Sequence, residues 1–370
     1  MKKSKTTFFN KLLGFIAVIL AISLILGMLA GSIDPRTNKY IPFFGLAYPY
    51  LLVLNVLTAL FWLLRKRIIY AVLTVALIFA GNRVFIATFS FKGTEGAGPK
   101  KDTTLLRMMT YNVHNFKPYE PGNSDSVKNQ ILNLVRTEDP DVIAFQEYFT
   151  RKKGAFDLTD SLKRILKTKH YYFVPSQKND YEAMGLAIFS KYAIKDKGTI
   201  WFDANHSGNS SIYVDLEVNK KLIRIYNVHL QSISFVKQDY EYLDKVKKKM
   251  DAEIVPSRRI IGMLKSAFLK RSAQVDLMKA HMKTCTSPYL IAGDFNDTPA
   301  SYAVTQLTKS LQKTFVKKGE GFGTTYNGKF PNFQIDYIAV TKDIEVINHR
   351  VIEAKLSDHF PLRSDLRLTP

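Results

Sequence analysis

Three long apolar runs open the chain, and short alternating segments follow them. Leu12 to Ile33 is an uncharged run of 22 residues, Tyr40 to Leu64 is another of 25, and Ile68 to Phe91 is a third, interrupted only by Arg83. A helix needs about 20 apolar residues to cross the hydrocarbon core of a bilayer. The pattern therefore predicts a membrane anchor over 1–91 with three transmembrane helices. The first run is longer than the apolar core of a cleaved signal, and no clear small-x-small site follows it. Arg83 sits near the far end of its run, where a long side chain reaches the interface. Gly and Lys dominate residues 92–102, which read as a linker.

Beyond residue 103 the period changes. "LLRMMTYNV" (105–113), "DVIAFQEY" (141–148), "YYFVPS" (171–176), "MGLAIFSK" (184–191), "SIYVDLEV" (211–218), "LIRIYNVHL" (222–230), "PYLIAGDF" (288–295) and "FQIDYIAV" (333–340) are short and rich in β-branched and aromatic residues, the signature of strands. Residues 124–137, 157–168, 237–252, 257–283 and 300–312 suit helices. Strand pairs between helical segments predict an α/β domain over 103–370, with two sheets packed face to face and helices outside.

Charge adds two points. The formal net charge is +21, with +10 carried by residues 1–102 and +11 by the rest. The globular part is thus cationic in its own right and suits acidic partners such as nucleic acid, anionic lipid or phosphate esters. Within the anchor, Lys2, Lys3, Lys5 and Lys11 precede the first run, and Arg65, Lys66 and Arg67 follow the second, against Arg36 and Lys39 in the first loop. The positive-inside rule then predicts a cytoplasmic N-terminus and, after three spans, a globular domain on the non-cytoplasmic side, periplasmic in a bacterium. Cys285 is the only cysteine, which excludes an intrachain disulfide and a cysteine-built zinc site.

The ends of the strands carry the chemistry. Asn112, His114 and Asn115 close the first, Gln146 and Glu147 the second, His229 and Gln231 the sixth, and Asp294 and Asn296 the seventh; Asp336 sits in the eighth, and Asp358 and His359 precede Pro361. Asn or Asp at one strand end is an ordinary turn residue. Six such clusters in one domain suggest a shared site. The oxygens of Glu147, Asp294, Asp358, Asn112 and Asn296 are hard ligands suited to Mg²⁺, Mn²⁺ or Ca²⁺. Two histidines beside them can serve a phosphate oxygen or a leaving group, and Asp336 can hold one imidazole charged. Phosphodiester hydrolysis needs such a set: a cation, a group that orients water, and an acid.

In this order, "TYNVHNF", "AFQEYF", "GLAIFSKYAI", "YNVHL", "IAGDFNDTP", "QIDYIAV" and "SDHFPL" resemble the endonuclease/exonuclease/phosphatase superfamily, across essentially all of 103–370. The resemblance implies a four-layered α/β sandwich of two packed mixed sheets flanked by helices, with the site at one end. It implies Glu147 as principal metal ligand with Asn112 beside it and Asp358 completing the shell, the ion being Mg²⁺ or Mn²⁺. Asp294 would orient or deprotonate water and Asn296 would position it. His359, steadied by Asp336, would bind the scissile phosphate, and His229 would serve the leaving group. Glu182 aligns loosely as a partner for His229. Arg271 and Gln274 are expected to open a helix and position it. His114 is divided between a turn and the site; Cys285 reads as a small buried residue rather than a nucleophile, and His170, His206, His281 and His349 as surface or structural residues.

About 38 residues between "NVHLQS" and "RSAQ" exceed what short members of the superfamily use there. They mix Phe235, Tyr240 and Tyr242 with Lys247, Lys248, Lys249, Arg258 and Arg259, and read either as a solvated helical hairpin or as a basic surface that binds substrate or membrane. The sequence as a whole predicts a membrane-embedded, divalent-metal-dependent phosphodiesterase of the endonuclease/exonuclease type. Its substrate would be nucleic acid or a phospholipid head group, and no protein partner is evident. A phospholipid or lipid-anchor phosphodiesterase and a non-catalytic binding protein are the alternatives.

Overall fold

The structure is a computed structural model. It describes residues 8–93, 96–100, 102–119, 122–205, 208–233, 235–249, 254–328 and 331–369, with the side chains at 8, 9, 247–249 and 254 outside that description. Two compact units emerge, one of residues 1–88 with Thr298–Gln306, the other of Phe89–Asp297 with Leu307–Pro370.

In the first unit, Phe8–Leu29 and Ile41–Leu64 are continuous helices. Among the described residues they are the two helices long and apolar enough to cross a membrane. The third predicted span is not one helix. It breaks at Gly81 into Ile68–Ala80 and Asn82–Thr88, bent by 73°. Thirteen residues rise only about 20 Å, short of the roughly 30 Å core, so a third crossing requires both pieces. Gly81 explains the break, since glycine is a poor helix former and a good terminator. Arg83 lies in the second piece, beyond the bend. Thr298–Gln306 belongs to this unit: Thr298 Oγ1 donates to the Gly45 carbonyl at 3.4 Å and Gln306 Nε2 to the Gly31 carbonyl at 3.0 Å.

The second unit is a four-layered α/β sandwich. Its first sheet runs in the order Ile344–Val346, Leu362–Leu368, Leu106–Asn112, Val142–Arg151, Glu182–Ser190, His170–Lys178, with Arg350–Val351 also on Leu362–Leu368. Its second runs Gln312–Lys313, Asp336–Val340, Tyr289–Asp294, Lys221–His229, Ser210–Val218, Ile194–Trp201. Both are mixed. Leu106–Asn112 is parallel to Val142–Arg151, and Lys221–His229 to Tyr289–Asp294, while the other pairs are antiparallel.

The period of two sorts the core. Leu106, Met108, Val142 and Ala144 face inward and meet Val214, Ile225, Leu290 and Ile338 of the second sheet. Their neighbours Met109, Tyr111, Ile143 and Phe145 face outward, against Ile131 and Val135 of helix Ser124–Glu138 and Leu158 and Leu162 of helix Leu158–Ile165. A one-residue slip would exchange these faces, so burial on both sides fixes the register. The long helix Ile254–Met282 lies on the second sheet, where His281 Nδ1 meets the Tyr226 hydroxyl at 3.0 Å.

Several elements differ from expectation. Residues 300–312 are not one helix: Tyr302–Leu307 is helical and Gln312–Lys313 is an edge strand. Leu362–Leu368 is a full strand that the sequence pattern hides. Arg363 and Asp365 interrupt its apolar run, yet both are buried, Asp365 on Arg107 Nε at 2.7 Å and Arg363 on Glu138. Cys285 is half-buried rather than buried. His349 is buried, with Nδ1 2.8 Å from Thr314 Oγ1, and His206 lies outside the described residues.

Candidate active site

Three neighbouring strands of the second sheet end on the same rung. The register places His229 opposite Asp294, and Asp294 opposite Asp336. Asp294 is 1% exposed and is the centre of the arrangement. Its Oδ1 accepts from the Asn296 backbone N–H at 2.7 Å, and its Oδ2 from Asn112 Nδ2 at 3.0 Å and Asn296 Nδ2 at 3.2 Å. Nε2 of His229 and Nε2 of His359 each lie 3.7 Å from Oδ2. Burial pushes the Asp294 carboxyl up to about 6, against the pull of His359.

Gly293 makes this approach possible. Its φ is +138°, and a Cβ there would stand 2.0 Å from the Val228 carbonyl oxygen of the adjoining parallel strand. Only glycine fits. Asn296 then turns with φ 54°, a conformation asparagine tolerates, and its Nδ2 also reaches the Leu230 carbonyl at 3.0 Å.

His359 stands across from Asp294. Its Nδ1 meets Asp336 Oδ2 at 2.9 Å, and its ring is capped edge-on by Tyr326 at 5.4 Å. Burial alone would lower its affinity for a proton, but Asp336 and Asp294 outweigh burial and hold it well above the ordinary histidine value. His229 goes the other way. Burial lowers it, and Asp294 compensates only in part. The two imidazoles therefore differ, His359 holding a proton more tightly than an ordinary histidine and His229 less tightly.

The first sheet supplies the second half. Between Phe145 and Tyr148 the pairing with Glu182–Ser190 slips by one residue. At this bulge Glu147 adopts φ 50°, with Oε2 3.7 Å from His114 Nδ1. An L-residue in the left-handed region costs on the order of 1–2 kcal/mol, and such strain concentrates at functional sites. His114, Asn115 and Phe116, just past Asn112, also have positive φ. His114 Nδ1 lies 3.7 Å from Glu147 Oε2 and 3.6 Å from Asp358 Oδ1, so His114 belongs to the site rather than to a simple turn. Burial and the repulsion of Asp358 raise the Glu147 carboxyl above its usual range.

The expected catalytic and metal-ligating residues, Asn112, Glu147, His229, Asp294, Asn296, Asp336, Asp358 and His359, are thus drawn to one end of the two sheets. Glu182 is not with them; it pairs with Arg151 Nε at 3.1 Å. Arg271 and Gln274 lie in the middle of Ile254–Met282 rather than at a helix opening, and brace the site's loops. Arg271 donates to the Asn296 carbonyl and pairs with Asp297 at 3.1 Å, while Gln274 Oε1 accepts from Gln231 N–H at 2.9 Å. Arg259 pairs with Asp239 at 2.9 Å, Arg258 is exposed, and the side chains of Lys247, Lys248 and Lys249 lie outside the described residues.

Sequence reading missed the supports. Asn227 faces inward two residues before His229, and its Oδ1 accepts from Gln146 Nε2 across the sheet interface at 2.6 Å. Its Nδ2 donates to the Phe145 and Ala187 carbonyls at 2.8 and 3.0 Å. Its even position in "YNVHL" was the available signal, a polar residue on the apolar face. Asn227→Ala leaves Gln146 Nε2 its bond to Thr110 Oγ1 at 3.1 Å but takes the side-chain donor from two carbonyls, at about 1–3 kcal/mol for each group left unpaired. We expect a loss of about 3 kcal/mol in urea unfolding of the detergent-solubilised chain; a loss below about 1 kcal/mol would contradict the link's role. Thr325 and Ser357 act similarly, Thr325 Oγ1 accepting from the Asp336 N–H at 3.0 Å and Ser357 Oγ donating to the Asn112 carbonyl at 2.8 Å.

The sequence model of the Endonuclease/Exonuclease/phosphatase family matches residues 109–359, a span containing every one of these residues. The chain belongs to the endonuclease/exonuclease/phosphatase family. A model of a domain of unknown function matches residues 10–88. No curated protein matches the chain. Among solved structures, an endonuclease/exonuclease/phosphatase from Beutenbergia cavernae superposes with TM-score 0.52 at 18% identity, covering 72% of each chain. A family protein from Leptotrichia buccalis gives 0.51 at 15%, over 71% of this chain and 99% of its own. One from Bacteroides vulgatus gives 0.51 at 17%, with the same two coverages. At these identities the likeness establishes the fold.

Members of the endonuclease/exonuclease/phosphatase family generally use a divalent metal, and the donor set here fits one. Glu147 and Asp358 repel each other across the site, and a cation between them relieves that repulsion. Asn112 gives its amide N–H to Asp294, which leaves Oδ1 facing away, with only the His114 N–H on it at 3.2 Å. Asp294, Asp336 and His359 also bring ligand atoms within 4.8 Å of one another. That trio is better satisfied without an ion, because His359 holds a proton between two carboxylates.

Proposed function

We propose that the chain is a membrane-anchored phosphodiesterase dependent on Mg²⁺ or Mn²⁺. The observation that carries this reading is the buried Asp294, held by three N–H donors with Nε2 of His229 and of His359 each 3.7 Å from its Oδ2. Glu147, Asp358 and the Asn112 amide oxygen would hold the ion, which supplies neutralisation of phosphate charge. Asp294 accepts a proton from the attacking water, and Asn296 fixes the Asp294 carboxylate for that task. His359 donates to a phosphate oxygen, and Asp336 keeps its ring oriented and charged. His229, buried with Nε2 3.7 Å from Asp294 Oδ2, takes up the proton that Asp294 removes from water and passes it to the leaving oxygen.

The cationic catalytic unit favours a nucleic-acid backbone as substrate. The two continuous apolar helices favour a second reading, a phospholipid head group presented at the bilayer. With the bent pair Ile68–Thr88 as a third crossing, the distribution of positive charges favours the non-cytoplasmic side for the catalytic unit. The test is turnover by the full chain in lipid nanodiscs, on bis(4-nitrophenyl) phosphate, plasmid DNA, RNA, sphingomyelin and glycerophospholipid. Activity is expected to vanish in excess EDTA and to return with Mg²⁺ or Mn²⁺. Full activity in EDTA, or rescue by Zn²⁺ alone, overturns the cofactor assignment; turnover of none of the five overturns the activity. In right-side-out vesicles, substrate added outside is hydrolysed directly, and a need for permeabilisation reverses the orientation.

A further inference from the structure

His114 meets each of the three groups that would hold the cation. Its backbone N–H donates to Asn112 Oδ1 at 3.2 Å, and its Nδ1 lies 3.7 Å from Glu147 Oε2 and 3.6 Å from Asp358 Oδ1. An unusual backbone delivers it. His114, Asn115 and Phe116 take φ of 43°, 58° and 56°, three consecutive left-handed residues, none of them glycine. Buried Phe116 anchors this turn against Phe145 and Tyr148, with ring centroids 6.1 and 5.9 Å away. The Val113 N–H donates to the Gln146 carbonyl at 3.1 Å, which ties the turn to the strand one residue before Glu147. On the other side the Ser357 hydroxyl reaches the Asn112 carbonyl at 2.8 Å and Asp358 Oδ1 at 3.1 Å. Strain of this kind persists where surrounding contacts over-determine it, and it concentrates at functional sites.

The two Nδ1 separations narrow what the imidazole does. At 3.7 and 3.6 Å neither is a hydrogen bond. His359 differs, because its Nδ1 stands 2.9 Å from Asp336 Oδ2 and shares a proton with it. Around a small octahedral ion with bonds of about 2.1 Å, adjacent donors stand about 3 Å apart and opposite donors about 4 Å. The His114 separations fall between these values, so rotations of about half an ångström gather the donors round one ion. His114, Glu147 and Asp358 are all half-buried, and an ion with its waters reaches them from solvent. A neutral imidazole offers one nitrogen lone pair. That nitrogen changes the choice of ion. Oxygen donors alone suit Mg²⁺ and Mn²⁺ alike, whereas an added imidazole favours the transition metal.

We propose that His114 Nδ1 is a further ligand of the cation, beside Glu147, Asp358 and Asn112, and that it makes the site prefer Mn²⁺ to Mg²⁺. The inference rests on the metal-dependent phosphodiesterase reading and names the ion that this site selects. The test is pulsed EPR of Mn²⁺ bound to the full chain in nanodiscs. The wild type should show hyperfine coupling to a histidine nitrogen, which shifts when the chain carries isotope-labelled histidine. His114→Gly should lose the coupling; glycine adopts the left-handed backbone without strain, so the melting curve should persist. The Kd for Mn²⁺, read from the EPR signal of the free ion, should rise about tenfold or more in this variant, since even the outer partners of a metal ligand carry that much affinity. The Kd for Mg²⁺, read by competition, should rise by less than about threefold, so that the preference for Mn²⁺ falls. Absence of histidine coupling in the wild type overturns the proposal and requires no variant to fold. Coupling that persists in His114→Gly belongs to another histidine and overturns it as well. So does an Mn²⁺ affinity that is unchanged or tighter in the variant, the outcome expected if a protonated His114 merely occupies the cation's place. A wild-type chain that shows the coupling yet hydrolyses no diester overturns the phosphodiesterase reading and leaves the ligand standing. Hydrolysis with Mn²⁺ but without the coupling overturns the ligand alone, and a chain that binds no Mn²⁺ overturns both.

Discussion

Asp294→Asn lowers kcat on bis(4-nitrophenyl) phosphate by at least about 100-fold, the usual scale for a lost acid–base or electrostatic group. The substitution keeps shape and volume and removes one proton acceptor. Asp294 receives three N–H donors, and an amide in its place turns one N–H against them. The lost hydrogen bond destabilises, but a charge no longer has to be buried. The two effects oppose each other, so the thermal midpoint moves by only a few degrees. Steady-state kinetics with Mg²⁺ and a melting curve on the same preparation check both halves. A kcat within tenfold of wild type would remove Asp294 from the chemistry, and a collapsed melting curve would make it a structural residue.

Gly293→Ala has a larger effect on the fold itself. The new Cβ would lie 2.0 Å from the Val228 carbonyl oxygen and 2.8 Å from its nitrogen, at φ +138°. Neither strand can yield. Tyr289–Asp294 is held between Lys221–His229 on one side and Asp336–Val340 on the other, and a shift breaks ladder bonds on both. A loss above about 4 kcal/mol is expected, the range reserved for such lesions. Gly154→Ala is the matched comparison: φ is +85° there, but nothing lies within 4 Å of the added carbon. Only backbone strain operates, at about 1–2 kcal/mol. Equal urea midpoints for the two variants would refute the steric account.

The candidate site residues were legible because each violates its surroundings. Asp336 in "FQIDYIAV" and His229 in "YNVHL" are polar interruptions of strands that otherwise want to be buried. Their convergence follows from strand register, which the alternation of apolar residues fixes. Leu362–Leu368 was illegible for the opposite reason. Its charges at Arg363 and Asp365 look like solvent positions and are in fact buried against partners about 225 and 258 residues away in sequence. No local pattern reports a partner that distant. Glu182 was misplaced by loose alignment, and Arg271 was underestimated because its targets are backbone carbonyls, which every residue has. The break at Gly81 was visible as a glycine, but hydropathy weighs apolar content and ignores helix continuity.

The shared rung of His229, Asp294 and Asp336 has a consequence for how this molecule can change. Adding or deleting one residue inside any of those three strands turns the polar group at its end away from the space between the sheets, where the site lies. Length can vary only where the chain leaves the rung, and the first exit after His229 is the segment 232–270. New reach toward a different substrate can be written into that excursion while the acid, the imidazoles and their spacing are copied unchanged.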